Sequence, residues 1–276
     1  MSSIANNETP LEWSFDPISL SMLNSKAAML ERLDNKYVVK AAVLRSAAAN
    51  FANHFDVLEI GGCRSFTYET CYFDNSERRS YLDHHQGRRR RAKVRMRKYV
   101  EAGLCFVEVK LKDKRGATIK KRLPCQSGAF GTLDDAALAF VHSTYYEHYG
   151  LAFPYELSRV IDIRYRRMTL VAKQGGERMT VDNGMQFYDP ESSHVVADDR
   201  FILETKSARG NGIADRILRA LHQHPTKHCS KYCAAIAVLN QETKHNRFLP
   251  ALRKLGSAPS PEKPGRASTP QPDLAA

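Results

Sequence analysis

The sequence predicts an α+β domain built on antiparallel strands, and three observations carry the expectation. Segments of β character recur along the 276-residue chain, several alternating like Lys93-Val94-Arg95-Met96-Arg97. The segment "DKRG" at 113–116 supplies a glycine-bearing turn that pairs two of them as a hairpin. Helical patterns are few beside the strands, which is the pattern of an α+β fold. A curved sheet and a barrel both satisfy this, and a closed barrel removes exposed edges.

In chain order, "ERLDNKYVV" (31–39) reads as the first strand and alanine-rich 42–55 as a helix. Residues 55–60 and 66–74 read as strands, 76–85 as a short helix and 89–99 as a strand. The hairpin joins 104–112 to 117–123. A helix is predicted over 132–150, with Thr132 as its cap, Asp134 and Asp135 at its positive end and Gly150 as its stop. Long strands near 158–172 and 176–187 follow, then a short strand at 200–207 and a last helix near 213–223. Residues 1–27 read as a loosely ordered lead-in. The Pro/Ser/Ala-rich tail, placed at 251–276 with its clearest bias from Ser257, reads as disordered, leaving a folded body over 28–250.

The apolar fraction of 42% is that of a globular protein. A net charge of +12 argues for a polyanionic partner: nucleic acid, an acidic membrane surface or phosphate chains. A basic surface kept for solubility is the plain alternative. No apolar run approaches a membrane span, and the polar N-terminus "MSSIANNETPLEWSFDP" lacks the features of a signal peptide, so a cytoplasmic location is expected. Six scattered cysteines without a CxxC pair read as free thiols. His222, His224, His228, Cys229 and Cys233 match no standard zinc spacing and read as a polar helix end and loop.

Side chains at i and i+2 share a strand face. Arg91, Lys93, Arg95 and Arg97 therefore point one way, as do Arg32, Asp34 and Lys36 on another strand. The same parity groups Glu108, Lys110 and Lys112, then Arg178, Thr180 and Asp182, then Glu204 and Lys206. The wet side of a half-buried sheet would explain any one strand. A face rich in Arg and Lys on strand after strand repels itself unless an anion neutralises it. Arg suits phosphate through its fork geometry and Lys as a point charge.

Eight segments in one order, "ERLDNKYVV", "YFDN", "GRRRRAKVRMRKY", "FVEVKLK", "IRYRRMTLV", "RMTVDNGMQF", "FILETKS" and "SKYCAAIA", resemble the VTC domain. This is the polyphosphate polymerase module of the vacuolar transporter chaperone complex, with stand-alone bacterial relatives, in the triphosphate tunnel metalloenzyme superfamily. The resemblance runs over about residues 28–240 and implies an antiparallel β-barrel around a basic tunnel, with flanking helices. It implies tunnel cations at Arg32, Lys36, Arg95, Arg97, Lys110, Arg167 and Lys231, to which strand parity adds Lys93. It places Tyr165 and Ser230 where phosphate is touched, and Glu204 where a divalent metal, manganese first and magnesium second, is held. The implied reaction moves the γ-phosphoryl group of a nucleoside triphosphate such as ATP onto polyphosphate. Arg32 stands where the tunnel triphosphatases carry a metal-binding glutamate, which favours the polymerase branch. His228 stands where another lysine is expected. Neither an SPX-type sensor nor a membrane segment is read, so membrane translocation would need a separate membrane protein.

A polymerase is the leading reading. A module that binds polyphosphate or nucleotide without turnover needs the same basic tunnel, and a tunnel triphosphatase remains an alternative. Glu204 leans toward catalysis, against its alternative as a structural ion pair. Nucleic acid is disfavoured because the charged faces lack the aromatics that stack bases.

Overall fold

The structure, a computed structural model, describes residues 11–26, 33–113, 118–239 and 244–258. After a 3-10 turn at Leu11–Ser14 come β1 (Asp16–Ile18), α1 (Leu20–Lys26), β2 (Leu33–Lys40), α2 (Ala41–His54), β3 (Phe55–Leu58) and β4 (Ser65–Asp74). Next are α3 (Arg79–Gln86), β5 (Ala92–Tyr99), β6 (Leu104–Lys112), β7 (Thr118–Cys125) and α4 (Asp135–Tyr149). The chain continues through β8 (Ser158–Ala172), β9 (Arg178–Tyr188), β10 (Ser193–Val195), β11 (Arg200–Ser207), α5 (Ile213–Ala220), α6 (Lys231–Leu239) and α7 (Leu249–Leu255).

One large sheet organises the molecule, in the order β2-β11-β9-β8-β4-β5-β6-β7 and antiparallel throughout that path. The expected α+β architecture with flanking helices is present. The sheet is curled like a barrel but not strictly closed: among the described residues, β2 and β7 do not pair. Its curl brings opposite ends of the strand order together. Lys112 of β6 feels the charges of Lys36 and Asp34 on β2, and Lys110 feels Glu204 on β11.

The convex face is apolar and covered. Met96, Val107 and Val109 pack beneath Val141 and Tyr145 of α4, while Leu170, Val181 and Leu203 pack with Leu44 and Phe51 of α2 and Leu218 of α5. The concave face is divided. One end is apolar, where Val38, Ile163, Phe187 and Ile202 bury against α6 and α7. The other end carries the charges, and strand parity sorts them as expected on β5 and β6.

Several boundaries differ from the sequence reading, each for a local reason. Asp134 rather than Thr132 caps α4, its Oδ1 accepting from the Ala137 amide at 2.8 Å. The basic run is strand only from Ala92; Arg88–Arg91 is irregular, with the Arg91 guanidinium turned onto the Arg88 carbonyl. The predicted lead-in contains β1 and α1, held by the buried Leu23. The predicted tail takes in most of α7, whose Ala251, Leu252 and Leu255 join the core. Residues 231–239, whose start the sequence reading places in a loop, form α6, buried from Tyr232 to Ala237. The hairpin turn at 114–117, residues 31–32 and the tail beyond 258 lie outside the described residues.

Candidate phosphate tunnel

The charged half of the concave face is assembled from cross-strand neighbours. Lys93 of β5 pairs in register with Lys110 of β6, and Lys110 with Lys120 of β7. Arg95 lies opposite Glu108 and Tyr72, and Arg97 opposite Thr70. On the far wall Arg167 of β8 faces Asp182 of β9, and Glu204 of β11 faces Lys36 of β2. Directly opposed residues on one face have Cβ atoms about 5 Å apart, so like charges here repel unless something separates or neutralises them.

Two buried carboxylates organise four of the cations. Asp182 accepts from Arg167 Nε at 2.5 Å and Nη2 at 2.7 Å, and also pairs with Lys231 at the start of α6. Glu108 holds Arg95 and Lys120. Burial raises the carboxyl pKa at each site, but the adjoining cations outweigh it and hold both below the usual carboxylate range. Both are therefore spent as counter-ions, and neither is a competent proton acceptor at neutral pH.

Glu204 is placed differently. Lys206 Nζ lies 3.1 Å from its Oε1 and Lys36 Nζ 4.0 Å. Burial pushes its carboxyl up, yet the fields of Lys36, Lys206, Arg167 and Lys110 more than reverse this, so it is ionised. Among the described residues no group of three His, Cys, Asp or Glu side chains could cage a metal. A single ionised carboxylate does fit a magnesium- or manganese-type ion completed by water and phosphate oxygens. Such an ion would arrive with its phosphate ligand rather than reside in the empty protein.

Lys110 has its ammonium pKa driven well below the usual value, first by Arg95 and then by burial. Burial likewise lowers that of Lys93. These are the groups whose charge a bound polyanion would stabilise most. Lys93 Nζ donates to Ser230 Oγ at 2.9 Å, tying β5 to the α6 start.

The structure thus brings together Lys36, Lys93, Arg95, Arg97, Lys110, Arg167, Lys231, Tyr165, Ser230 and Glu204. Arg32 lies outside the described residues. Sequence reasoning missed Lys120 and the organising roles of Glu108 and Asp182; the i, i+2 spacing of Lys120 and Arg122 on β7 was the signal for the first. It also underread the aromatic content. Tyr68, Tyr72 and Tyr165 from β4 and β8 lie against the cations, with Arg167 5.1 Å from the Tyr68 ring centre and Lys231 4.8 Å from that of Tyr165. Tyr68 and Tyr165 stack on each other, and Tyr72 and Tyr165 are buried, so they line the wall rather than offer open stacking platforms. Among the described residues the buried Tyr165 hydroxyl has no hydrogen-bond partner.

A wall of this kind, with cations outnumbering carboxylates on a curled antiparallel sheet, suits a polyanionic ligand. The VTC domain family model matches residues 31–240, and the chain belongs to that family. No curated protein matches significantly. Solved structures that are similar include a putative adenylyl cyclase from Hippeastrum, described as having a dominant triphosphatase activity. It shares 11% identity at a TM-score of 0.47, over 75% of this chain and 96% of that one. A putative adenylate cyclase from Bacillus halodurans shares 9% at 0.43, over 73% and 95%. The RNA triphosphatase Pct1 of S. pombe shares 9% at 0.31, over 73% and 81%. Among the described residues no helix is long and apolar enough to cross a membrane.

Proposed function

We propose that the chain is a metal-dependent polyphosphate polymerase, transferring the γ-phosphoryl group of a nucleoside triphosphate such as ATP to a polyphosphate chain. One observation carries the reading: Lys36, Lys93, Arg95, Arg97, Lys110, Lys120, Arg167, Lys206 and Lys231 share the charged concave face with Glu108, Asp182 and Glu204. Among the described residues the cations of this face outnumber its carboxylates, and a chain of phosphates would supply counter-charge at regular intervals.

In the reaction a terminal oxygen of the polyphosphate attacks the γ-phosphorus. The bond from the β–γ bridging oxygen to that phosphorus breaks, and the nucleoside diphosphate leaves with the electron pair. The acceptor is already an anion, so no protein base is required. Arg95, Arg97, Lys110 and Arg167 would align the donor and acceptor phosphates and offset the charge on the transferring group. Lys231 and Ser230 would hold the chain where α6 begins. Glu204 would hold a divalent ion, manganese or magnesium, which when bound neutralises phosphate charge and orients its oxygens.

Hydrolysis would call for a group able to activate water, and the ion-paired Glu108 and Asp182 are poor candidates. The test is to incubate the purified protein with ATP and manganese or magnesium and resolve products on a gel stained for polyphosphate. A ladder of polymer supports the proposal. Orthophosphate without polymer would make the chain a tunnel triphosphatase. Triphosphate binding without any product would make it a binding module.

A further inference from the structure

Beyond Lys93, at the end of the charged face where β5 begins, lies a second basic cluster outside the assigned residues. It is built from His84 and His85 of α3, Arg91, Lys112 of β6, His228 before α6, and Arg247 before α7. Two of its three imidazoles are approached by a cation at Nε2, while the third, His85, pairs through Nε2 with Asn246 Oδ1 at 2.7 Å. The Lys93 ammonium lies 3.4 Å from His84 Nε2, and Arg247 Nε donates to His228 Nε2 at 3.3 Å. A cation has only protons to offer, so His84 and His228 each accept at Nε2 and are neutral.

We infer that Arg91, Arg247, His84 and His228 form a mouth site for a polyphosphate chain leaving the lumen, whose occupation is coupled to proton uptake by the two histidines. The inference rests on the polyphosphate reading and adds the location and the proton coupling. The Arg247 guanidinium is anchored to the His85 carbonyl at 2.7 Å and Arg91 to the Arg88 carbonyl at 2.8 Å, so both are held in place without being neutralised by those bonds. A phosphate arriving between them draws Lys93 and Arg247 toward its oxygens. Each histidine then loses its donor, gains a proton from solvent and can donate to phosphate in turn.

The surroundings agree from every side. His84 meets Lys93 and Arg91 from β5 and its approach, Lys112 from β6 and His228 from the α6 approach, and its ring stacks on Phe248. His228 meets Arg247, Lys227, Arg91 and His85. The nearby carboxylate, Asp83, is engaged by Arg79 and Arg88. The adjoining Cys233 thiol is kept neutral by burial. Burial first, then these cations, lower both imidazole pKa values, so both are neutral in the empty site at neutral pH. A bound polyanion reverses the sign of the local field. Lys120, whose burial brings its pKa to about 8, would also take up a proton on anion binding, but near pH 8 rather than in the imidazole range.

The test compares wild type with the double variant His84→Gln, His228→Asn. Glutamine suits the helical position of the first, and asparagine tolerates the left-handed backbone of the second, where φ is 56°. Calorimetric titrations with long linear polyphosphate, in buffers of different ionisation enthalpy between about pH 6 and 7.5, count protons taken up. Wild type is expected to take up at least about one proton more than the variant. Its affinity then climbs about tenfold more per unit fall in pH. Inorganic tripolyphosphate, too short to fill lumen and mouth together, is expected to show no such difference. The wild-type imidazole Cε1–H resonances should also move to the protonated position with the long chain, a readout that needs no variant. Equal pH slopes, or imidazoles that stay neutral, overturn the mouth site alone. Failure of wild type to bind either probe overturns it together with the polyphosphate reading.

Discussion

Glu108 grips Arg95 through a single carboxylate oxygen, Oε2, which accepts from Nε at 2.7 Å and Nη2 at 2.5 Å. The Glu108 side chain is fully buried, and its other oxygen meets Lys120 from the neighbouring strand. Arg95 Nη1 is left to the Tyr72 hydroxyl at 3.0 Å. One carboxylate therefore fixes the orientation of a guanidinium in the centre of the basic wall.

Removing that charge should be costly to the empty protein. Glu108→Gln leaves Arg95 buried without its counter-ion, and breaking a buried pair in this way costs about 3–5 kcal/mol. Urea denaturation should show the loss. Saturating triphosphate should recover part of it, because the ligand binds only the folded state and supplies the missing anion. A variant as stable as wild type would mean that Arg95 has another partner.

Acid should act through the same groups. The Glu108 carboxyl is held below its ordinary 4.5 and Asp182 below its ordinary 3.8. A depressed folded-state pKa gives stability that is complete above the unfolded value and is lost as pH falls below it. Stability should thus be flat from neutrality to about pH 5 and fall steeply below about 4. Denaturation midpoints against pH would show this, and Glu108→Gln should make the fall shallower.

Much of this arrangement was legible. Parity on β5 and β6 put Lys93, Arg95, Arg97 and Lys110 on one face because a pleated strand leaves side chains no other choice. What was not legible depends on contacts distant in sequence. After Lys231 the α6 segment "KYCAAIAVL" is apolar on all sides, so it has no stripe to betray a helix. It is stable because the concave face covers it. Asp182 and Glu108 read as two more charges on a polar face; only the cross-strand register makes them the anchors of Arg167 and Arg95.

Glu204→Gln keeps shape and removes the proposed metal ligand. Polymer synthesis should fall about 10²–10³-fold, the typical loss of one electrostatic contact to the transition state. Triphosphate affinity should hold or rise, since Lys36 and Lys206 lose a competing anion. Synthesis at the wild-type rate would disprove the assignment.

Arg97→Ala should weaken ground state and transition state alike. Its guanidinium is buried beside Thr70 and the Tyr68 ring. A hydrogen bond to a charged group contributes about 1.5–3 kcal/mol, so triphosphate affinity should drop roughly ten- to a hundredfold by calorimetry. Raising salt should weaken wild-type binding more than that of the variant.

Tyr165→Phe separates stability from binding. The hydroxyl is buried with no partner among the described residues, so its removal relieves an unmet polar group, and stability should rise by about 1 kcal/mol. Triphosphate affinity should fall if that hydroxyl serves phosphate. Unchanged affinity in calorimetry would remove Tyr165 from the ligand contacts.

Lys120 stands on β7, which ends the strand order and, among the described residues, is bonded along one side only. Strands at a border open at lower free energy than those in the middle of a sheet, so β7 parts from the wall more readily than β4 or β5. Each such opening withdraws one ammonium group from Glu108 and leaves the carboxylate to Arg95 alone. The electrical potential that a phosphate would feel against this wall is thus tied to the breathing of a border strand.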